Sequence, residues 1–166
     1  MKFQNEQTAL GAALMQIAED GRFSSINPLF VKGKKIPNGF LVNGDTALFL
    51  RYRSKGEQRN YRFQYTHENL QDIVKTPMED FTRVILGMVC VEDREVCCVD
   101  LAELTEMMHF RDGPPIVDDD TPYTLTVKAE ENRSFRVSGK EQGANFIAHD
   151  VVIPRNRFPD CVFSKR

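Results

Sequence analysis

Apolar side chains recur with helical spacing at the start of the chain. Leu10, Ala13 and Ile17 follow one another at intervals of three or four residues, which places them on one face of a helix. The polar positions between them fall on the opposite face. This pattern predicts an amphipathic helix over residues 5–20.

Strand patterns dominate the segment that follows. Residues 21–39 contain prolines and glycines and predict a loop. Apolar runs at residues 40–42 and 47–53 flank an Asn-Gly-Asp sequence, which is typical of a tight β-hairpin. Residues 61–65 alternate aromatic and polar side chains, as expected of a strand with one buried face.

Short helices and strands alternate in the second half of the chain. Residues 84–91 form a continuous apolar run, which is typical of a strand that is buried on both faces. Asp100 and Glu103 have the spacing of a helix cap pair. The predicted elements are a helix at 66–74, strands at 84–91 and 95–99, a helix from residue 100 and strands at 123–127, 135–137 and 146–153.

This order predicts an α+β fold with a mainly antiparallel or mixed sheet and three helices. The apolar face of the N-terminal helix should pack on the sheet. We expect residues 1–166 to form a single domain, because a chain of 166 residues is close to the usual size of one domain. A Gly-Pro-Pro sequence marks residues 113–121 as the place for a subdivision, if there is one.

The composition is that of an ordinary globular protein. Hydrophobic residues make up 41% and charged residues 28% of the chain, which excludes a disordered tail or a fibrous repeat. No apolar run reaches the length of a membrane span, and the N-terminus does not resemble a signal peptide. We therefore expect a cytoplasmic protein without a membrane partner.

The net charge of −2 conceals an uneven distribution of charge. Residues 21–62 carry nine Lys or Arg and two acids, whereas residues 63–131 carry five Lys or Arg and sixteen acids. A basic surface can bind nucleic acid or an acidic protein. The alternative is that the basic and acidic segments face each other, or that they form separate solvated faces.

Four cysteines are present, and we expect them to be reduced. A two-residue turn between the strands at 84–91 and 95–99 would pair Cys90 with Cys97. The best interpretation is that the cysteines are buried free thiols. The alternatives are a disulfide or a zinc site that uses Cys98 and His109. No CxxC sequence supports a zinc site, so we predict no metal.

The predicted order of elements over residues 5–91, helix-β-β-β-helix-β, resembles the core of the restriction-endonuclease-like superfamily, the PD-(D/E)XK nucleases. This resemblance implies a Mg²⁺-dependent nuclease with Glu6 as the helix acid, Asp45 as the strand acid and Lys55 as the lysine. Clustered carboxylates suit Mg²⁺ because it prefers oxygen ligands. The acid-x-Lys motif of the third strand is missing from residues 61–65, which favours a relative that does not cleave.

Two further segments, residues 61–70 and 84–104, resemble parts of small uncharacterised bacterial or prophage proteins. We therefore expect a bacterial or phage source. No P-loop, GxGxxG, GxSxG or HExxH motif is present. The motifs thus predict no catalytic residue and no cofactor, apart from Mg²⁺ in the nuclease alternative.

The basic segment provides the best candidate binding residues. If the strands at 47–53 and 61–65 pair with coinciding faces, their arginines form a two-stranded ribbon with further cations at its tip. Guanidinium groups in such an array suit phosphate or carboxylate partners. The predicted binding residues are Arg51, Arg53, Lys55, Arg59 and Arg62. The alternative is an ordinary polar sheet face.

Three functional hypotheses remain. The leading one is a non-enzymatic binding protein that uses the basic strands on an acidic partner, either nucleic acid or an acidic protein. The second is a degenerate Mg²⁺-dependent nuclease. The third is a homo-oligomer in which the acidic middle of one subunit meets the basic strands of another, an association that salt should weaken.

Overall fold

A computed structural model describes residues 1–77, 79–108, 123–141 and 150–163. These residues form four helices and nine strands. In chain order the elements are α1 (Asn5–Ala18), β1 (Ile26–Val31), β2 (Lys34–Val42), β3 (Thr46–Arg53), β4 (Asn60–Tyr65), α2 (His67–Val74), β5 (Arg83–Cys90), β6 (Glu95–Asp100), α3 (Leu101–Met108), β7 (Tyr123–Lys128), β8 (Phe135–Glu141), β9 (Val151–Ile153) and α4 (Asp160–Phe163). None of the helices in these ranges combines the length and apolar content that crossing a membrane requires.

The strands form two sheets. Sheet A has five strands in the order β1-β2-β3-β5-β6, and sheet B has four in the order β4-β7-β8-β9. The central pair of sheet A, β3 and β5, is parallel, and every other registered pair is antiparallel. The chain between β3 and β5 passes through β4 and α2, so it leaves sheet A and returns to it.

Two apolar clusters hold these layers together. The larger cluster lies between the sheets, where Phe49 and Leu86 of sheet A meet Phe63, Leu125 and Phe135 of sheet B. The smaller cluster packs α1 and the C-terminal segment against the other face of sheet A. Sheet A is therefore buried on both faces, which explains the continuous apolar run of β5.

Several predictions from the sequence are confirmed. The fold is α+β with one mixed and one antiparallel sheet, and the N-terminal helix contacts sheet A. The β2–β3 hairpin forms around the Asn-Gly-Asp turn. Asp100 and Glu103 cap α3 reciprocally: each backbone N–H donates to the carboxylate of the other, at 2.9 and 2.8 Å.

Other predictions need correction. The described residues contain four helices instead of three, because the short helix α4 has too few residues to show a periodic pattern. The predicted loop at 21–39 contains β1 and the first half of β2. Pro28 is tolerated because β1 is an edge strand. The proposed subdivision at 113–121 and the first half of the strand at 146–153 lie outside the described residues.

Candidate binding site

The predicted arginine ribbon does not form, because β3 and β4 belong to different sheets. β3 pairs with β2 and β5, whereas β4 pairs with β7. The aromatic residues Tyr61, Phe63 and Tyr65 face the larger core. Their side chains are buried there because β4 lies opposite sheet A and not beside β3. The premise that the two strands pair is therefore wrong.

The two sets of guanidinium groups lie on different surfaces. Arg51 and Arg53 alternate with the core residues of β3 so that they share a face with Phe49, towards sheet B. Arg62 lies between Tyr61 and Phe63 on β4 and points to the opposite, solvent-exposed face of sheet B. These arginines cannot bind the same small group.

Two of the five predicted binding residues already have acidic neighbours. An Arg62 side-chain nitrogen lies 3.0 Å from a Glu57 carboxylate oxygen, and one from Arg59 lies 3.7 Å from Glu131. Both arginine side chains are more than half exposed, so each pair contributes little to stability. Their charge is nevertheless partly compensated within the chain.

Arg51 is half-buried and holds three elements together. Its Nη1 donates to the backbone oxygen of Gln64 at 3.0 Å, and its Nη2 donates to Asn69 Oδ1 at 2.6 Å. Its guanidinium also lies 4.5 Å from the centre of the Tyr65 ring, which is a favourable cation–π distance. Arg51 therefore joins β3 to the end of β4 and to the first turn of α2.

Asn69 shows why the first turn of α2 lies at this position. Thr66 caps the helix, since its hydroxyl oxygen accepts from the Asn69 backbone N–H at 3.2 Å. The Asn69 side-chain oxygen accepts in turn from the Thr66 backbone N–H at 3.3 Å. That oxygen is the atom that Arg51 contacts, so the guanidinium is anchored to the helix cap.

Arg53 and Lys55 are exposed at the end of β3. Within the described part of the chain, neither residue has a carboxylate oxygen within 4.0 Å, and the same is true of Arg51. We call Arg51, Arg53 and Lys55 the basic end of β3. This group is the part of the predicted binding set whose charge is not compensated by an ion pair among these residues.

A cleft of about 250 Å³ adjoins the basic end of β3. It lies where β2 and β3 separate: the two strands are in register only as far as Gly39 and Phe49, although β3 continues to Arg53. The side chains with polar groups in its lining belong to Glu6, Asn38, Arg51, Tyr52, Tyr65, Asn69 and Asp72.

The backbone of β2 explains this separation. Asn38 has a positive φ of 55°, a conformation that asparagine tolerates better than most residues. Its side chain donates to Glu6 at 2.6 Å, which ties the irregular segment to α1. A side chain at Gly39 would lie only 2.8 Å from Ile36 Cβ, so this bend requires glycine. The consecutive Pro37, Asn38 and Gly39 are the sequence signal that could have predicted the cleft.

Tyr65 is one of the residues that line the cleft, and its side chain is almost completely buried. The residue is 1% exposed, and its hydroxyl has no hydrogen-bond partner among the described residues. Burial raises the pKa of this hydroxyl well above its usual value, although the nearby charge of Arg51 opposes the increase. Buried hydroxyl groups are normally hydrogen-bonded, but this oxygen has almost no exposed surface through which a ligand could reach it.

One of the two acids that line the cleft, Asp72, is already paired with a lysine. Lys34 Nζ lies 2.8 Å from Glu68 and 3.0 Å from Asp72. These contacts raise the pKa of Lys34 and lower that of Glu68. Lys34 belongs to the basic segment and its partners belong to the acidic one, so the two segments do face each other in part.

The residues of the nuclease alternative do not assemble. Asp45 precedes β3 and Lys55 follows it, and a strand of eight residues is about 26 Å long. Asp45 lies 4.0 Å from Arg83, whereas Glu6 lies with Asn38 at the cleft. In the ranges that the structure covers, no three His, Cys, Asp or Glu side chains are placed to hold a metal ion.

The cysteines pair differently from the sequence prediction. Cys97 is opposite Met88, and Cys90 is opposite Glu95, because the turn contains four residues instead of two. Both thiols are buried, and burial is the main cause that raises the pKa of Cys90 to about 12. His109, the second residue of the alternative zinc site, lies outside the described residues.

Comparison with known proteins gives no match. No family model, no curated protein and no solved structure is significantly similar to the chain. The geometry of the residues is therefore the basis for assigning a function.

Proposed function

We propose that this chain is a non-enzymatic binding protein that recognises an acidic segment of another protein through the basic end of β3 and the adjoining cleft. A single observation carries this proposal. Arg51 lines the cleft, Arg53 and Lys55 follow it at the end of β3, and none of these three cations has a carboxylate partner among the described residues. Carboxylates of a partner would supply the missing counter-charges.

The position of Arg51 makes it the strongest member of this group. It is half-buried, and a charge that is partly removed from water interacts more strongly with a counter-ion than an exposed one does. Its planar guanidinium can also bind both oxygens of one carboxylate. Arg53 and Lys55 are exposed, so they would mainly accelerate association and favour acidic partners.

A protein partner suits this surface better than nucleic acid. Binding to nucleic acid draws its affinity from cations that contact many phosphates in succession. Here Arg59 and Arg62, which would have lengthened the basic surface, are paired with acids and lie apart from Arg51. Glu6 and Asp72 also line the cleft and would repel phosphates and carboxylates alike, so the counter-charges of a partner must lie at Arg51, Arg53 and Lys55.

Binding of defined probes tests this proposal. Fluorescence anisotropy would measure the affinity for a labelled oligoglutamate peptide, for the matching oligolysine peptide and for a DNA duplex of similar length. We expect the oligoglutamate peptide to bind most tightly, with an affinity that falls as salt screens the exposed charges.

Two double variants locate the site. Arg53→Glu with Lys55→Glu should weaken oligoglutamate binding by about tenfold or more, since charge repulsion replaces attraction. Arg59→Glu with Arg62→Glu introduces the same change of charge on a different surface and should alter binding by less than about twofold. Equal losses in both variants, tighter binding of DNA than of peptide, or no binding of the oligoglutamate peptide would contradict the proposal.

A further inference from the structure

Two cysteine residues pack on the same face of sheet A. Cys98 lies on β6 opposite Gly87, and its side chain belongs to the smaller apolar cluster. Cys161 lies in α4 and packs against the same cluster. The residues on either side of Cys98, Cys97 and Val99, face the larger cluster between the sheets. Because side chains alternate along a strand, Cys98 is the β6 thiol on the side of α4.

Arg157 links the backbones of these two cysteines. The Cys161 backbone N–H donates to the Arg157 carbonyl oxygen at 2.9 Å, and Arg157 Nη1 donates to the Cys98 carbonyl oxygen at 3.4 Å. The same guanidinium is fixed by the Glu103 carboxylate at 2.9 Å. One residue therefore holds the main chain of β6 and that of α4 at a defined separation.

Further contacts hold α4 on sheet A. The Thr46 hydroxyl donates to the Val162 carbonyl oxygen at 3.2 Å. An Arg22 side-chain nitrogen lies 2.6 Å from an Asp160 carboxylate oxygen. The residues immediately before and after Cys161 are thus both anchored, so this thiol has a defined position relative to β6.

The two thiol groups are within hydrogen-bonding reach of each other. A hydrogen bond with the Cys98 thiol is the main cause that raises the pKa of Cys161, and burial adds to this increase. The positive charge of Arg157 opposes it. Two ionisable groups that interact this strongly titrate as a pair. The pair can therefore lose its first proton, while the second is held between the two sulfurs.

Solvent reaches the two members of the pair unequally. Cys98 is only 1% exposed, whereas Cys161 is partly exposed. A small oxidant such as hydrogen peroxide can therefore contact Cys161, and Cys98 lies behind it as the second thiol.

We propose that Cys98 and Cys161 form an oxidation site, at which hydrogen peroxide converts the two thiols into a disulfide between β6 and α4. First, the Cys161 thiolate attacks a peroxide oxygen and the O–O bond breaks. Cys161 becomes a sulfenic acid, and the hydroxide that leaves takes up a proton to form water. The Cys98 thiolate then attacks the sulfenic sulfur, so that the S–S bond forms, the S–O bond breaks and a second water leaves. In total the two thiols lose two electrons and two protons, and one peroxide is reduced to two waters.

The disulfide would close a long loop of the chain. The segment between residues 98 and 161 includes α3 and the strands β7, β8 and β9. A cross-link that closes a long loop restricts the unfolded chain strongly. Oxidation should therefore raise the Tm of the protein by about 5–10 °C. Dithiothreitol should reverse this rise, because it reduces the disulfide by thiol exchange.

Peptide mapping of the full chain tests this pairing. The reduced protein is treated with hydrogen peroxide, its remaining thiols are blocked with iodoacetamide in urea, and its tryptic peptides are analysed by mass spectrometry without reduction. We expect a linked pair of peptides that is lighter than the two separate peptides by two hydrogen atoms. Fragment ions should place the bond between Cys98 and Cys161, with the blocking group on Cys90 and Cys97.

Alanine variants identify the two thiols that react. Cys161→Ala and Cys98→Ala should each abolish both the disulfide and the rise in Tm. Cys90→Ala and Cys97→Ala are the matched controls, because they remove thiols of the larger cluster and should retain the disulfide. Cys161 is only partly buried, so Cys161→Ala should fold, and the Tm of its reduced form would verify this. The map of the wild-type protein decides the pairing even if a core variant does not fold.

The oxidation site is independent of the proposed binding function, and its outcomes are distinct. A disulfide between Cys98 and Cys161 that dithiothreitol reverses would support it. Three results would overturn it: a disulfide that includes Cys90 or Cys97, oxidation of Cys161 to a sulfinic acid or to a disulfide between two chains, and no oxidation of the wild-type protein.

Discussion

The guanidinium of Arg51 lies 4.5 Å from the centre of the Tyr65 ring, so a residue of the basic end of β3 is packed on the core of the other sheet. The same side chain bonds to Gln64 and Asn69. Arg51 is thus both a structural residue and a candidate binding residue. Arg53 and Lys55 lack these contacts, which is why their substitution tests binding without the same effect on folding.

Replacing Arg51 should therefore lower stability. We expect Arg51→Leu to reduce the free energy of unfolding by about 1–3 kcal/mol, because the substitution removes two hydrogen bonds and a cation–π contact. Urea denaturation would measure the change. Arg53→Leu, on an exposed side chain of the same strand face, should change the free energy of unfolding by less than about 0.5 kcal/mol. A similar cost for both variants would contradict the structural role of Arg51.

Replacing Arg157 should also lower the stability of the protein. Its Nη1 lies 2.9 Å from both carboxylate oxygens of Glu103, and both side chains are only 12% exposed. Removal of one partner of a buried ion pair typically costs about 3 kcal/mol or more. We expect Arg157→Met to lower the free energy of unfolding by about this amount.

Arg133 offers the matched control for that measurement. It lies 3.2 Å from Glu130, and its side chain is 67% exposed, so Arg133→Met should cost less than about 1 kcal/mol. Thermal or urea unfolding of both variants would measure these two changes in stability. Equal stability of the two variants would show that the Arg157 cluster is not buried as described.

Because of Asp20, the stability of the protein should vary with pH in the acidic range. Hydrogen bonds from Arg22 are the main cause that lowers the pKa of Asp20 from 3.8 to about 2. Because the folded pKa is the lower one, the stabilisation is complete above about pH 4 and is lost as the pH falls through about 2. The stability difference between the wild-type protein and Asp20→Asn should therefore shrink over this window. An NMR titration that places the pKa of Asp20 near 3.8 would exclude this contribution.

The buried thiols should resist alkylation. Cys90 and Cys97 are buried in the larger core, and burial is the main cause that raises the pKa of each thiol. Because the thiolate is the reactive form, iodoacetamide at about pH 8 should leave both residues unmodified in the folded protein. Mass spectrometry should detect full modification of both after unfolding in urea. Rapid modification without urea would contradict their burial.

The sequence predicted where helices and strands lie better than it predicted which strands pair with each other. The alternation of Tyr61, Phe63 and Tyr65 correctly indicated a strand with one buried face. The same alternation carries no information about which strand lies beside it. Sequential strands are neighbours in roughly two-thirds of cases, but here the chain crosses from sheet A to sheet B between β3 and β4.

The cleft was not predicted from the sequence, for a related reason. Its shape depends on where β2 leaves β3, and this departure follows from the positive φ of Asn38 and the close approach of Ile36 to Gly39. Pro37 instead suggested a loop, since proline is rare inside paired strands. Tyr65 was assigned to the core correctly, but its unpartnered hydroxyl results from three-dimensional packing alone.

The central claim is that an acidic segment binds beside the basic end of β3. An NMR titration of the labelled protein with the oligoglutamate peptide tests it most directly, because each backbone amide reports its own surroundings. We predict that the largest shift changes occur at Leu50 to Lys55 and at Asn69, with little change at Arg59 and Arg62. Shift changes centred on Arg59 and Arg62, or none at any residue, would contradict the claim.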